Sequence, residues 1–167
     1  WKGLGLTAGY NDSDLQQECF FPGDSELVFK LRTTLLTKTG NDLKAGHSMR
    51  AINGPDLATA DLPILESVFL TKSGATPFTA KIKKFPTKET QNELAYMEQL
   101  ELLMLRIEHG RQKRLTLHTA KRTEALYRFA TDFLQTYYEQ KQLRGLLDFD
   151  DLILRTQILL SDERVAN

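Results

Sequence analysis

The 167-residue sequence predicts an all-α fold. Apolar residues recur at steps of three and four through most of the chain, which is the period of a helix with one buried face. Glycine and proline separate these segments, and the alternation of apolar and polar residues that is typical of a strand is almost absent. We therefore expect several short helices, a basic loop, and two long helices that pack antiparallel.

Four short helices are predicted in residues 1–70. They cover 12–20, a segment from Asp24 or Ser25 up to Gly40, 41–51 and 63–70. Asp24 and Ser25 are both suitable N-cap residues for the second helix, on which Val28, Leu31 and Leu35 form an apolar stripe. Pro63 fits the first turn of the fourth helix, because its missing N–H is not needed there.

Residues 71–86 contain Gly74, Pro77 and Pro86 and show no helical period, so we expect a loop, with a short hairpin as an alternative. Two long helices are predicted next, over 87–110 and 111–144, with a break at Gly110. Each carries an apolar stripe, and we expect the two stripes to pack together as the core of a helical hairpin. The stripes contain Tyr96, Leu100, Leu103 and Ile107 in the first helix, and Leu126, Phe129, Phe133 and Tyr137 in the second.

The last predicted helix lies within GLLDFDDLILRTQILL, residues 145–160. Gly145 can end the preceding helix, and Asp148 can cap the next one, with Asp151 three residues later in a variant of the capping box. Phe149, Ile153 and Leu159 fall on one apolar face.

Composition excludes several classes of protein. No apolar run approaches the ~20 residues that span a bilayer, and no signal peptide opens the chain. Cys19 is the only cysteine, so an intrachain disulfide is impossible and a reducing, cytoplasmic location is expected. The sequence contains no G-x-x-x-x-G-K-[ST] phosphate loop, G-x-S-x-G elbow or H-E-x-x-H pair. The chain also lacks an initiator Met, and we expect it to be a segment of a longer protein.

The formal net charge is zero, but the charges are unevenly distributed. Residues 1–70 carry 6 basic and 9 acidic groups, residues 71–144 carry 14 and 8, and residues 145–167 carry 2 and 5. In the basic middle, five lysines and no acid are interleaved with Phe78 and Phe85 between Thr71 and Lys88. Ammonium groups bind phosphates and aromatic rings stack on bases, so this pattern favours a nucleic-acid contact; a solvated basic face is the alternative. The candidate contacts chosen on charge are Lys72, Lys81, Lys83, Lys84, Arg111, Lys113 and Arg114.

Two segments resemble a known family. VFLTKSGATPFT (68–79) and YYEQKQLRGLLDFDDLILRTQILL (137–160), together with the long helices, are similar to UvrD/Rep-like superfamily 1 DNA helicases. Within that family they resemble the AddA-type double-strand-break repair helicase and nuclease subunit of alphaproteobacterial type. The resemblance implies a fragment that covers the helical subdomain 1B and the first helix of the return into the first motor domain. It divides the chain into a short-helix region (1–70), a basic loop (71–86), the long hairpin (87–147) and the returning helix (148–167).

The resemblance also implies a function. The parent protein would use ATP and magnesium to unwind DNA from a broken end, would carry a nuclease domain, and would pair with an AddB-like subunit. No catalytic residue, cofactor or metal is expected within these 167 residues. The expected role is a DNA-contacting accessory subdomain, and the alternative is a helical protein-interaction module without direct DNA contact.

Overall fold

Over residues 5–73 and 76–161, which are those the computed structural model describes, the chain forms seven α-helices. They are α1 (Asp12–Cys19), α2 (Asp24–Leu36), α3 (Gly40–Ser48), α4 (Leu62–Phe69), α5 (Lys88–Glu93), α6 (Met97–Leu143) and α7 (Phe149–Ser161). Short 3-10 turns occupy Met49–Ala51 and Thr59–Asp61. The structure is 71% helical with no strand in the described ranges, so the predicted all-α class is confirmed. The chain divides into two compact units, residues 1–120 and 121–167, and the four-part division given above stays a prediction.

The four short helices form where the sequence predicts them, but the cap of α2 was predicted wrongly. Gly23, with a φ of 93°, precedes α2. Asp24 and Ser25 lie in its first turn and bond elsewhere. The Asp24 carboxylate accepts the N–H of Phe21 at 2.6 Å, and the Ser25 hydroxyl accepts the N–H of Leu57 at 3.1 Å. These two side chains therefore hold neighbouring loops instead of capping the helix.

The core of the first unit is formed by one apolar face from each of several helices. Its fully buried members include Val28, Leu31, Leu35, Ile52, Leu62, Leu65, Phe69, Leu100, Leu103, Met104 and Ile107. The predicted stripes of α2 and of the first half of α6 are thus confirmed. Gly46 of α3 allows the close approach of α2, because a Cβ there would lie 3.1 Å from the Cβ of Leu35.

The predicted break at Gly110 is wrong. Helix α6 is continuous over 47 residues and contains Gly110 in its interior, so the two long antiparallel helices do not form. The reason for the glycine is a close contact with α1. A Cβ at position 110 would lie 2.2 Å from the Sγ of Cys19, a separation that no real Cβ adopts. The interruption comes earlier than predicted, since α5 ends at Glu93 and α6 begins at Met97.

In the second unit, the predicted end of α6 and cap of α7 are confirmed. Gly145 adopts a φ of 63°, and the N–H of Leu146 bonds to the carbonyl of Lys141 at 3.0 Å, closing the helix end. Asp148 and Asp151 each accept the other's backbone N–H at 3.0 Å. The Lys141 ammonium, which is buried, pairs with both carboxylates. Desolvation opposes its charge, but the hydrogen bonds to these carboxylates prevail and raise the pKa of Lys141.

The apolar stripe of the second unit was predicted to be core, and this is wrong for the described residues. Phe129 is 66% exposed and Phe133 is 56% exposed. Their rings stack on each other, with centroids 6.0 Å apart, and Phe133 stacks on Tyr137 at 6.2 Å. In α7, Phe149, Ile153 and Leu159 are also exposed. Among the described helices, none has the length and apolar character needed to cross a membrane.

Candidate nucleic-acid interface

The basic loop, residues 71–86, connects α4 to α5 and contacts α6 in its second half. Its two arms pair as a short hairpin. The N–H of Thr71 donates to the carbonyl of Thr79 at 2.9 Å, and the N–H of Lys81 donates to the carbonyl of Phe69 at 2.9 Å. Leu70 and Ala80 form an isolated antiparallel bridge between them. The predicted loop and its hairpin alternative are therefore both present.

Two acids of α6 hold the loop in place. Glu101 accepts the backbone N–H of Lys83 at 3.0 Å, and Glu108 accepts that of Ala80 at 2.8 Å. Residues 101 and 108 are two helical turns apart and share a face of α6. The second half of the loop therefore follows the helix, and these two bonds use backbone N–H groups of the loop rather than lysine side chains.

Four lysines line a cleft of about 430 Å³ between the loop and α3, and we call it the lysine cleft. They are Lys44, Lys72, Lys81 and Lys84. Lys72 and Lys84 are exposed, and in the part of the chain that the structure describes their side chains have no hydrogen-bond or ion-pair partner. The cleft thus carries at least two ammonium groups that no carboxylate of the described residues pairs with.

Asp42 is the acid that lines this cleft, and its carboxylate is already engaged. It is 2% exposed and accepts the Thr87 N–H at 3.1 Å and the hydroxyls of Thr87 and Thr90 at 2.7 Å each. These bonds fasten α3 to the start of α5. Because the carboxylate faces these donors, it does not form an ion pair with a lysine of the cleft.

Lys81 and Lys83 have different surroundings. The half-buried Lys81 ammonium donates to the carbonyl of Val68 at 2.5 Å, and burial together with the neighbouring Lys72 charge lowers its pKa. Lys83 is exposed, and its backbone is in the left-handed region with a φ of 56°. Lys81 therefore supports the floor of the cleft, and Lys83 lies outside the set that lines it.

The three candidates on α6 are engaged in ion pairs within the protein. Arg114 makes two bonds to Glu66 of α4, at 2.6 and 2.8 Å, and the Nε of Arg111 lies 3.6 Å from the same carboxylate. Lys113 donates to Glu18 of α1 at 2.7 Å. These contacts join α6 to α4 and α1. We therefore expect less phosphate binding from these residues than from the lysine cleft.

Lys44 was missed in the sequence, because it lies 28 positions before Lys72 and only the packing of α3 brings it to the loop. No sequence pattern links the two. In residues 5–73 and 76–161, no group of three His, Cys, Asp or Glu side chains lies close enough together to hold a metal ion.

A protein-family model described as the UvrD/REP helicase N-terminal domain matches residues 29–167. The chain belongs to this family. The match includes the lysine cleft, α6 and α7, and it confirms the resemblance to UvrD-like superfamily 1 helicases. The AddA type and the subdomain 1B position stay predictions. Neither the comparison with curated proteins nor the comparison with solved structures gives a match.

Proposed function

We propose that this UvrD/REP family chain is a DNA-contacting accessory part of an ATP-dependent DNA helicase, and that the lysine cleft binds the phosphate backbone. The observation that supports the proposal is the cleft itself. Lys44, Lys72 and Lys84 are exposed around a concave surface, and the one acid beside them is bonded to threonine donors. Phosphate oxygens would supply the missing counter-charge.

Such binding is independent of sequence and depends strongly on salt, because each neutralised phosphate releases condensed counterions. For duplex DNA the slope of log K against log salt is about −0.9 per phosphate contact. Three contacts give a slope of about −3, so a threefold rise in salt should weaken binding by about 20-fold.

The test compares two variants that each remove two positive charges. Lys72→Gln/Lys84→Gln removes cleft lysines, and we expect its slope on a forked duplex to fall to about −1. Lys30→Gln/Arg128→Gln is the matched control, because both residues are exposed, form i,i+4 pairs with Glu26 and Glu124, and are not among the residues that line the cleft. It should keep the wild-type slope. Equal slopes for both variants, or no DNA binding by the wild type at low salt, would contradict the proposal.

The resemblance of residues 68–79 and 137–160 supports a more specific proposal, in which the parent is an AddA-type helicase and nuclease acting in double-strand-break repair with an AddB-like partner. These 167 residues contain no G-x-x-x-x-G-K-[ST] loop, so they offer no fit to ATP. The described part likewise offers no ligand set for magnesium. The proposal assigns ATP, magnesium and the nuclease chemistry to other segments of the parent protein.

The exposed aromatic face of the second unit favours a second candidate, a protein-interaction module. Phe129, Phe133 and Tyr137 form a stacked row that is open to solvent, and such a face is typical of a surface that another protein covers. A pull-down with the AddB-like subunit in the absence of DNA tests this role. Capture that is lost in Phe129→Ser/Phe133→Ser and kept in Lys72→Gln/Lys84→Gln would support it, and equal capture by both variants would contradict it.

A further inference from the structure

Phe78 holds an unusual position in the basic loop. Its ring is 41% exposed, and the guanidinium of Arg111 lies 3.6 Å from its centroid. Arg111 also contacts the Glu66 carboxylate, which is bound to Arg114. The Arg111 guanidinium is therefore held in place by its ion pair with Glu66 of α4, and it packs against one face of the Phe78 ring. A ligand would contact Phe78 on the exposed surface of the residue.

The backbone at Phe78 is strained. Its φ is 63°, in the left-handed region that side chains other than glycine rarely adopt. The N–H of Phe78 bonds to the carbonyl of Thr71 at 2.9 Å, and the N–H of Thr79 bonds to the hydroxyl of the same threonine at 3.1 Å. Phe78 and Thr79 thus both lie opposite Thr71, as in a β-bulge. In such a bulge the residue with left-handed backbone angles is usually glycine. A phenylalanine held in such a position by its surroundings is a candidate for function.

Phe85 differs from Phe78 in its burial, and Phe21 differs from it in the charge of the surrounding side chains. Phe85, on the same loop, is 8% exposed and packs on Phe69 in the core. Phe21 is exposed and lies under the guanidinium of Arg106 at 4.0 Å, so its local geometry matches that of Phe78. Its surroundings are acidic, however, because Asp24 binds Arg106 and Glu18 lines the same groove. Of the three, Phe78 alone is both exposed and part of the basic loop.

We propose that Phe78 is a stacking platform for a nucleobase of an unpaired DNA strand. The inference rests on the proposed DNA contact and deepens it, because it specifies that the strand bound at this position is single-stranded. Backbone phosphates are equally available on duplex and single strands, whereas a base face is free for stacking only where the strand is unpaired. Lys72 is exposed on the same loop as Phe78, and we expect its ammonium group to bind a backbone phosphate of the same strand.

Tryptophan fluorescence gives a direct test with a matched control. Trp1 is the only tryptophan, so Trp1→Phe/Phe78→Trp reports on position 78 alone, and Trp1→Phe/Phe21→Trp reports on the arginine-supported ring in acidic surroundings. Each full-length variant is titrated with an oligothymidylate and with a blunt duplex of equal length at low salt. We expect quenching at position 78 by the single strand only, and no quenching at position 21 by either DNA.

A second variant measures the contribution to affinity. Phe78→Gly removes the ring at a backbone angle that glycine adopts freely, so the fold should be kept. Since stacking of one base on an aromatic ring is worth about 1–3 kcal/mol, single-strand affinity should fall by about 5- to 150-fold while duplex affinity stays unchanged.

The outcomes separate this inference from the proposed function. Quenching confined to position 78 and to the single strand supports the stacking platform. Salt-dependent, lysine-dependent DNA binding without quenching at position 78, or equal affinity of Phe78→Gly for the single strand, overturns the platform and leaves the lysine cleft standing. Absence of any DNA binding by the wild type overturns both.

Discussion

The contact between Gly110 and Cys19 leads to a quantitative prediction about stability. Gly110→Ala would place a Cβ 2.2 Å from the Cys19 Sγ, whereas heavy atoms in contact prefer separations of about 3.5–4 Å. Cys19 is 1% exposed and packed in the core, so the sulfur has little room to move. Overpacking of this kind destabilises by about 1–3 kcal/mol. Replacing glycine by alanine inside a helix offsets about 1 kcal/mol of that loss. We expect a net loss of up to about 2 kcal/mol.

A double-mutant cycle isolates the contact. Cys19→Ala alone should destabilise by leaving a small cavity. In Cys19→Ala/Gly110→Ala the clash is gone, because the remaining Cβ of residue 19 is 3.9 Å from the new one. The double variant should therefore be more stable than the sum of the single changes, with a coupling energy of about 1–3 kcal/mol.

The measurement is urea unfolding of the four proteins in reductant, followed by the circular dichroism of the helices. Additive effects would refute the reasoning, since they would mean that the two positions do not touch. A stabilising Gly110→Ala would refute it equally, because an uncrowded helix interior gains from alanine.

Three further predictions concern ion pairs, pH and exposed rings. Glu66→Gln should lower the free energy of unfolding by about 3 kcal/mol, because it leaves Arg111 and Arg114 without their shared carboxylate. A loss below about 1 kcal/mol would mean that these ion pairs contribute no more to stability than exposed ones do. Burial raises the pKa of Cys19 to about 11 from 9.0, so its contribution to stability is complete below pH 9 and is lost as the pH rises toward 11. The difference in unfolding free energy between wild type and Cys19→Ala should shrink across that window and stay flat between pH 6 and 8. Leu103→Ala in the core should cost about 2–5 kcal/mol, whereas Phe133→Ser should cost less than about 0.5 kcal/mol, which urea unfolding distinguishes.

The helix ends that depend on residues close together in sequence were predicted correctly. The reciprocal bonds of Asp148 and Asp151 span three residues, and the left-handed Gly145 ends α6 by its own backbone angle, so both were predictable. Gly110 was misread for the opposite reason. Its intrinsic cost in a helix is about 1 kcal/mol, which packing against α1 easily offsets, and α1 is nearly a hundred positions away along the chain.

In the candidate site, too, the residues found from the sequence are those close together along the chain. The lysines of the loop are adjacent in sequence and were found by their charge. Glu66 and Lys44 were not found, because their roles arise from tertiary packing: Glu66 meets Arg114 across 48 positions, and α3 brings Lys44 to Lys72. Residue type alone does not distinguish a basic side chain that carries an internal acid partner from one that lacks it.

The two halves of α6 show why a helical stripe indicates a buried face without indicating what buries it. Leu100, Leu103 and Ile107 repeat at steps of three and four and are fully buried by the other helices of the first unit. Leu126, Phe129 and Phe133 repeat with the same steps and are exposed. The periodicity is equal in the two sets, so the difference lies in the surrounding chain. Exposed rings of this size add little to the stability of the second unit, and the protein-interaction role proposed above would account for them. The DNA-free pull-down with the Phe129→Ser/Phe133→Ser variant is the measurement that tests this role.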